Sequence, residues 1–194
     1  MRRTIVSWQP VTVLIVPGLR EHVPDHWQTL LAQKLERVRT VPPLERDKLS
    51  CAARVAAIEA ELQQIDGPVV LVAHSAGAIM VAHWAAQSTR PIHGALLAAP
   101  ADLETPLPAG YPELPVLRAQ GWLPIPRRRL PFRSIVAAST NDPLARFERV
   151  AGLATDWGGR LEDIGAAGHL NPASGFGEWP QAMALLEELE GVHA

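Results

Sequence analysis

The sequence is poor in several features that would point to particular classes of protein. Its 194 residues include one cysteine, Cys51, which excludes an intramolecular disulfide and a multi-cysteine metal site. A single thiol is typical of a reducing compartment, so we expect a cytoplasmic protein. The 18 Lys and Arg residues nearly balance the 20 Asp and Glu residues, for a formal net charge of −2. A chain so close to neutral lacks the broad positive surface that binds nucleic acid.

Long apolar runs are absent as well. No stretch reaches the roughly 18 apolar residues of a membrane-spanning helix, so we expect no membrane span. His22, His83, His93 and His193 have no cysteine or carboxylate partners at the spacing of metal ligands, so neither a metal nor a cofactor is expected. What is present is a 47% share of hydrophobic residues in 194 positions. That composition and length predict a single domain over residues 1–194 with one sizeable core.

Short apolar runs alternate with helix-like segments along the chain. The runs lie at 11–16, 69–73, 92–99, 133–138 and 160–164, with a weaker candidate at 38–41. The first helix-like segment has Asp25 as a plausible N-cap. This alternation predicts an α/β fold of about six mostly parallel strands with helices on both faces, a three-layer sandwich. Ligands of such sheets bind beyond the carboxyl ends of the strands, so reactive side chains are expected in those loops.

The strongest predicted strand runs directly into the sequence Ala73-His74-Ser75-Ala76-Gly77 and then into a helical segment of small residues. The pattern is close to G-x-S-x-G, with Ala73 in place of the first glycine. In a nucleophile elbow, small neighbours let a tight strand-to-helix turn lift the serine hydroxyl above the sheet. Taken alone, Ser75 could equally be the N-cap of the helix.

Two further loops after strands supply the partners that a nucleophilic serine needs. Asp142 follows the strand at 133–138, and His169 follows the strand at 160–164. The order Ser75, Asp142, His169 is that of α/β-hydrolases. A histidine takes the serine proton, and a carboxylate fixes the histidine tautomer. Asp142 is also a natural N-cap for a helix that begins at Pro143, and Asp102 is a competing candidate for the acid.

The oxyanion hole requires two backbone N–H donors. We expect them at Ala76, directly after the nucleophile, and at Leu19, in the loop after the first strand. His26 and Trp27 could form a wall of the pocket, or they could be the start of a helix with a tryptophan in the core. Trp27, Trp122 and Leu19 are predicted to give the pocket a mostly apolar character.

Prolines concentrate in one segment. Eight of the 18 prolines fall within 100–131, where no regular element of length is predicted. We expect this proline-rich segment to lie over the active site as a fairly rigid rim, because proline-rich chains lose little entropy on ordering. Deleting or exchanging residues 104–130 should then alter substrate choice more than it alters the labelling of Ser75.

Several segments together resemble a known family. They are VLIVPGL, PDHWQ, GPVVLVAHSAG, ASTNDP and GHLNPASGFGEWPQ, and they extend over nearly the whole chain. The chain resembles the small single-domain serine hydrolases of the α/β-hydrolase fold, which include the retinoblastoma-binding serine hydrolases and bacterial proteins of long-unassigned function. The resemblance implies Ser75 as nucleophile, Asp142 as acid and His169 as base. At 194 residues we expect a minimal version of the fold, with no room for a cap domain. Ala73 departs from the usual elbow pattern, and the resemblance does not imply a substrate.

These observations predict a serine hydrolase without metal or cofactor that acts through an acyl-enzyme on Ser75. A carboxylic ester with a small or medium acyl group is the expected substrate, so the expected partner is a small molecule. A protein-binding module that retains a vestigial site is the alternative from another class; the sequence is compatible with a protein partner but does not indicate one. Acyl transfer or perhydrolysis on the same three residues is a further alternative.

Overall fold

The computed structural model describes residues 10–191, and the sheet within this range has six strands. They are β1 (Thr12–Val16), β2 (Val38–Thr40), β3 (Val69–His74), β4 (Gly94–Ala98), β5 (Ser134–Ala138) and β6 (Arg160–Asp163). The strands lie in the order β2-β1-β3-β4-β5-β6, and every neighbouring pair runs parallel. The predicted sheet of about six mostly parallel strands is confirmed.

Within residues 10–191, five helices lie between consecutive strands or within their connections, and a sixth follows β6. They are α1 (Trp27–Ala32), α2 (Cys51–Leu62), α3 (Ala76–Ala85), α4 (Leu114–Ala119), α5 (Phe147–Trp157) and α6 (Gln181–Glu190). In the part of the chain that the structure describes, no helix is long and apolar enough to cross a membrane.

The sheet divides the core into two layers. Alternate side chains of a strand point to opposite faces. Leu71 and Ala73 of β3 therefore belong to a cluster with α2, α3 and α5, whereas Val70 and Val72 belong to a cluster with α1 and α6. All residues of β3 are buried, which explains why Val69–Ala73 is a continuous apolar run. Helices on both faces confirm the three-layer arrangement.

Two predicted helix starts differ from the structure. The N-cap of α1 is His26, whose Nδ1 accepts a hydrogen bond from the Gln28 N–H at 3.2 Å, so the predicted cap at Asp25 is wrong. The helix predicted to begin at Pro143 begins at Phe147. Within the proline-rich segment, α4 is the regular element; it is short, and Pro115 lies in its first turn, where a missing N–H costs nothing.

Candidate active site

Ser75 lies in a sharp turn between β3 and α3. Its backbone has φ 58° and ψ −126°, a conformation that residues other than glycine rarely adopt. Gly77 allows the turn to close, because a Cβ at this position would lie 2.4 Å from the carbonyl oxygen of Val16. Strained serine, preceding strand and following helix together make a nucleophile elbow. The elbow forms with Ala73, a fully buried residue, in place of the usual glycine.

The structure brings Asp142 and His169 to Ser75 from two other loops. The Nε2 atom of His169 lies 2.8 Å from the Oγ of Ser75. The Nδ1 atom of the same ring lies 2.8 Å from Oδ2 and 3.0 Å from Oδ1 of Asp142. A carboxylate can only accept, so the ring carries its proton on Nδ1, and Nε2 is left to accept the Ser75 hydroxyl proton. The three side chains form one hydrogen-bonded chain with a serine at its open end.

The carboxylate of Asp142 is almost completely shielded from water. Its side chain is 1% exposed, and that of His169 is 5% exposed. Oδ1 also accepts a hydrogen bond from the Leu144 N–H at 2.8 Å, which stabilises a tight turn rather than the start of α5. Low local polarity strengthens the Asp142–His169 contact relative to the same pair in water.

The loop that carries His169 is tied to the loop after β5. Oδ1 of Asn141 accepts hydrogen bonds from the Gly168 N–H at 2.6 Å and from the Ser139 hydroxyl at 3.0 Å. The Oγ of Ser174 accepts a hydrogen bond from the His169 N–H at 2.9 Å. The imidazole is therefore positioned by its backbone as well as by its ring.

Leu19 and Ala76, the residues predicted to form the oxyanion hole, line the same cavity as Ser75. Among residues 10–191, the Leu19 N–H donates to no other group. Ala76 is the first residue of α3, a position with no intrahelical acceptor for its N–H. Gly18 lets the loop after β1 come close, since a Cβ there would lie 3.2 Å from the Cβ of Ser75. Unpaired N–H groups beside a serine suit a developing oxyanion, and this role stays a prediction.

Two further histidines stand beside His169 and are neutral. The ring centroids of His74 and His169 are 4.9 Å apart, and those of His26 and His74 are 4.6 Å apart. The Nε2 of His74 donates to the His169 carbonyl oxygen at 2.9 Å, because a carbonyl only accepts. Burial, with a smaller contribution from His169, lowers the pKa of His26 to about 4. Burial is also the main cause that lowers the pKa of His74 well below 6.5.

The histidine cluster does not extend to a metal centre. Within residues 10–191, no group of three or more His, Cys, Asp or Glu side chains could hold a metal ion.

The cavity over Ser75 is lined mostly by apolar side chains. The empty space over Ser75 is about 750 Å³ when the open solvent at the mouth of the cavity is included. The apolar lining includes Leu19, Val23, Ala101, Leu103, Leu107, Tyr111, Leu144 and Ala173. Part of this wall comes from the proline-rich segment, which therefore borders the site.

Residues 13–188 match the model of the family described as serine hydrolase. The chain belongs to the serine hydrolase family. No curated protein matches it at a significant level.

Solved structures share the fold of this serine hydrolase. A protein described as a YdeN-like hydrolase, from Pectobacterium atrosepticum, is 29% identical with a TM-score of 0.78, over 94% of this chain and 91% of the other. The ydeN gene product of Bacillus subtilis is 18% identical with a TM-score of 0.72, over 93% and 98% of the two chains. An α/β superfamily hydrolase of Oenococcus oeni is 11% identical with a TM-score of 0.64, over 93% of each chain. The predicted α/β-hydrolase fold is confirmed.

Trp122 and Trp27 do not line the cavity of this serine hydrolase, although the sequence predicts both there. Trp122 is fully buried, and its Nε1 donates to the Leu49 carbonyl oxygen at 2.7 Å. Trp27 is 1% exposed and packs edge-on against Trp179, with the centroids 4.9 Å apart. These indoles fill the core beneath the site, where their large apolar area is best removed from water. His26, predicted beside Trp27, does line the cavity.

Asp102, the competing candidate for the acid, pairs with Arg149 and not with His169. Its carboxylate accepts two hydrogen bonds from Arg149, at 2.8 and 3.0 Å. Burial alone would raise the pKa of Asp102, but the hydrogen bonds from Arg149 and Thr105 outweigh burial and lower it. The structure thus brings Asp142, and not Asp102, to the histidine.

Four residues that the sequence did not single out hold the serine hydrolase site together. Gln28 donates to the carbonyl oxygens of Val16, at 3.2 Å, and Val72, at 2.9 Å, and so joins the carboxyl ends of β1 and β3. Ser139, Asn141 and Ser174 fix the histidine loop as described above. The family resemblance could have identified them, because these residues lie within PDHWQ, ASTNDP and GHLNPASGFGEWPQ, three of the segments that carry it.

Proposed function

We propose that the protein is a carboxylic-ester hydrolase that works through an acyl-enzyme on Ser75. The observation that carries the proposal is the 2.8 Å contact between the Ser75 Oγ and the His169 Nε2. Asp142 holds the other ring nitrogen, which is the arrangement that activates a serine hydroxyl.

Acylation begins when the Ser75 Oγ attacks the ester carbonyl carbon and His169 takes the hydroxyl proton on Nε2. The carbonyl oxygen becomes an oxyanion, which accepts hydrogen bonds from the Leu19 and Ala76 N–H groups. When the carbonyl re-forms, the bond to the alcohol oxygen breaks. His169 then gives its proton to the departing alkoxide, and the acyl group stays on Ser75.

Deacylation repeats these steps with water as the nucleophile. His169 takes a proton from the attacking water, the tetrahedral intermediate forms again, and the bond to the Ser75 Oγ breaks. The imidazolium returns its proton to Ser75, and the carboxylic acid leaves. Asp142 remains ionised and stabilises the charge on His169 in both halves of the cycle.

The lining of the cavity supports the apolar character of the acyl group. The apolar side chains of Leu103, Leu107 and Leu144 suit an aliphatic acyl chain of small or medium length.

A fluorophosphonate probe tests the nucleophile. The wild-type protein should be labelled, and Ser75→Ala should abolish labelling. Ser88→Ala removes a hydroxyl outside the cavity and should label like the wild type. Labelling that persists in a folded Ser75→Ala protein would contradict the assignment.

A panel of p-nitrophenyl esters tests the reaction. We expect hydrolysis, with a burst of p-nitrophenol equal to the amount of protein if deacylation is slow. A folded wild-type protein that reacts with neither probe nor ester would make the binding module the better interpretation. Products formed with an added alcohol or peroxide, in place of the free acid, would indicate acyl transfer or perhydrolysis.

A further inference from the structure

Arg20 is a cation at the cavity and contacts an aromatic ring. It follows Leu19 directly in the loop after β1, and it lines the cavity that contains Ser75. Its guanidinium carbon lies 5.5 Å from the ring centroid of Tyr111. Within residues 10–191, no carboxylate lies within ion-pair distance of this guanidinium. A contact with an aromatic face leaves the N–H donors at the edge of the guanidinium available to a ligand.

Glu21, the acidic neighbour of Arg20, is already close to two other cations. One oxygen of Glu21 accepts a hydrogen bond from the Leu44 N–H at 2.8 Å and lies 3.4 Å from the Arg54 Nη2. The other oxygen lies 3.4 Å from the Nζ of Lys48. Glu21 therefore cannot neutralise Arg20 as well.

Positive charge extends along one side of the mouth. An adjoining recess shares Leu19, Arg20 and Tyr111 with the main cavity and is also lined by Lys48 and Arg54. Three cations and the single carboxylate of Glu21 leave a charge of +2 around this side. His26 and His74 add none near neutral pH, because both are held neutral. The potential at this mouth therefore favours an anion.

We propose that Arg20 binds a carboxylate at the far end of the acyl chain, so that the preferred substrates are monoesters of dicarboxylic acids. The proposal rests on ester hydrolysis at Ser75. Tyr111 belongs to the apolar wall and also lies under the guanidinium, so an acyl chain that follows this wall ends at Arg20. The guanidinium can then donate two parallel hydrogen bonds to the carboxylate.

The test compares mono-p-nitrophenyl adipate with p-nitrophenyl hexanoate, which differ by a terminal carboxylate in place of a methyl group. The wild type should favour the adipate in kcat/KM. Arg20→Gln should reduce the adipate-to-hexanoate ratio about tenfold, a loss typical of one charge-assisted contact. Arg20→Lys should keep part of the preference, because it keeps the charge but loses the paired geometry. High salt should weaken the wild-type preference, because it screens exposed charges.

Arg118→Gln is the matched control. It removes an exposed arginine of α4 that does not line the cavity, and it should leave the ratio unchanged. Equal ratios for the wild type and Arg20→Gln, with both esters hydrolysed, would overturn the role of Arg20 while the hydrolase proposal stands.

Binding to Ser75→Ala separates the two proposals, because it needs no turnover. Monomethyl adipate should raise the Tm of Ser75→Ala more than methyl hexanoate does, and Arg20→Gln in the same background should remove the difference. A Tm difference without any ester turnover by the wild type would support the carboxylate site and contradict the hydrolase. No Tm difference would overturn the carboxylate site.

Discussion

The protonation of His26 is linked to the stability of the fold. Its pKa is about 4 in the folded protein and 6.5 as a free side chain. Between these values the unfolded chain binds a proton that the folded chain does not, so the free energy of unfolding falls as the pH is lowered. Burial lowers the pKa of His26, so the loss of unfolding free energy starts near pH 6.5 and is complete near pH 4. It should amount to about 3 kcal/mol at most.

Urea denaturation of wild type and His26→Asn at a series of pH values measures this loss. Asparagine can still accept the hydrogen bond at the start of α1, so the cap is kept while the titrating group is removed. His74 titrates in both proteins, so the difference between the two curves reports His26 together with its charge interaction with His74. Parallel curves from pH 7 to pH 4.5 would contradict the prediction.

The two candidate acids should separate in their effects. Asp142→Asn keeps the shape of the side chain but no longer fixes the His169 tautomer, and kcat should fall about 10³- to 10⁴-fold. Asp102→Asn breaks the contact with Arg149, whose side chain is 40% exposed. Because solvent can take over part of that contact, we expect a loss of about 1 kcal/mol in unfolding free energy and near-normal kcat. Ester kinetics and thermal unfolding of both variants check this, and the reverse pattern would restore Asp102 as the acid.

At the scale of elements, the histidine loop depends on Gly168. Its φ is +56°, and a Cβ there would lie 2.5 Å from the side chain of Ser174. Gly168→Ala should therefore displace the hydroxyl that binds the His169 N–H and reduce kcat at least tenfold.

Gly165→Ala is the matched control in the same loop. Its φ is +69°, but a Cβ there would meet nothing within 4 Å. It should cost about 1 kcal/mol of backbone strain and leave kcat nearly unchanged. If the two variants lose kcat equally, strain alone explains the effect and the contact with Ser174 does not matter.

The strands could be predicted closely from the sequence, but the helix starts could not. A strand such as β3, buried on both faces, leaves a short continuous apolar run, and its β-branched valines favour a strand over a buried helix. The first residue of a helix depends on which side chain reaches a free N–H. Asp25 has a suitable side chain, yet the ring of His26 makes the cap. Asp142 likewise has a suitable side chain but does not cap α5, because its carboxylate accepts hydrogen bonds from His169 and from the Leu144 N–H.

The members of the candidate site could be predicted better than its walls. Ser75, Asp142 and His169 follow strands whose carboxyl ends meet at one edge of the sheet, so topology alone brings them together. The walls come from irregular segments whose path has no periodic signal. The sequence therefore predicts Trp122 in the pocket, although it lies in the core.

At the scale of the whole molecule, the proline-rich segment is part of the core as well as the border of the site. Leu117 and Trp122 are fully buried, and Ile125 is 3% exposed. The Nε1 of Trp157 donates to the Pro126 carbonyl oxygen at 2.8 Å, which joins the segment to α5. Removing 104–130 would expose this apolar surface and destabilise the fold. A test of substrate choice must therefore change single residues of the segment.

Leu107 and Trp122 represent the two roles of the segment. Leu107→Ala enlarges the cavity over Ser75, so the preferred p-nitrophenyl ester should shift toward longer acyl chains, with a stability loss of about 1 kcal/mol because the side chain is only partly buried. Trp122→Phe leaves a cavity and an unpaired carbonyl at Leu49, so the unfolding free energy should fall by about 2 kcal/mol with no change in chain-length preference. Chain-length profiles and urea denaturation of both variants test this division. If Trp122→Phe shifted the profile as much as Leu107→Ala, the core and the site border would be one coupled unit, and the segment would have no separable role in specificity.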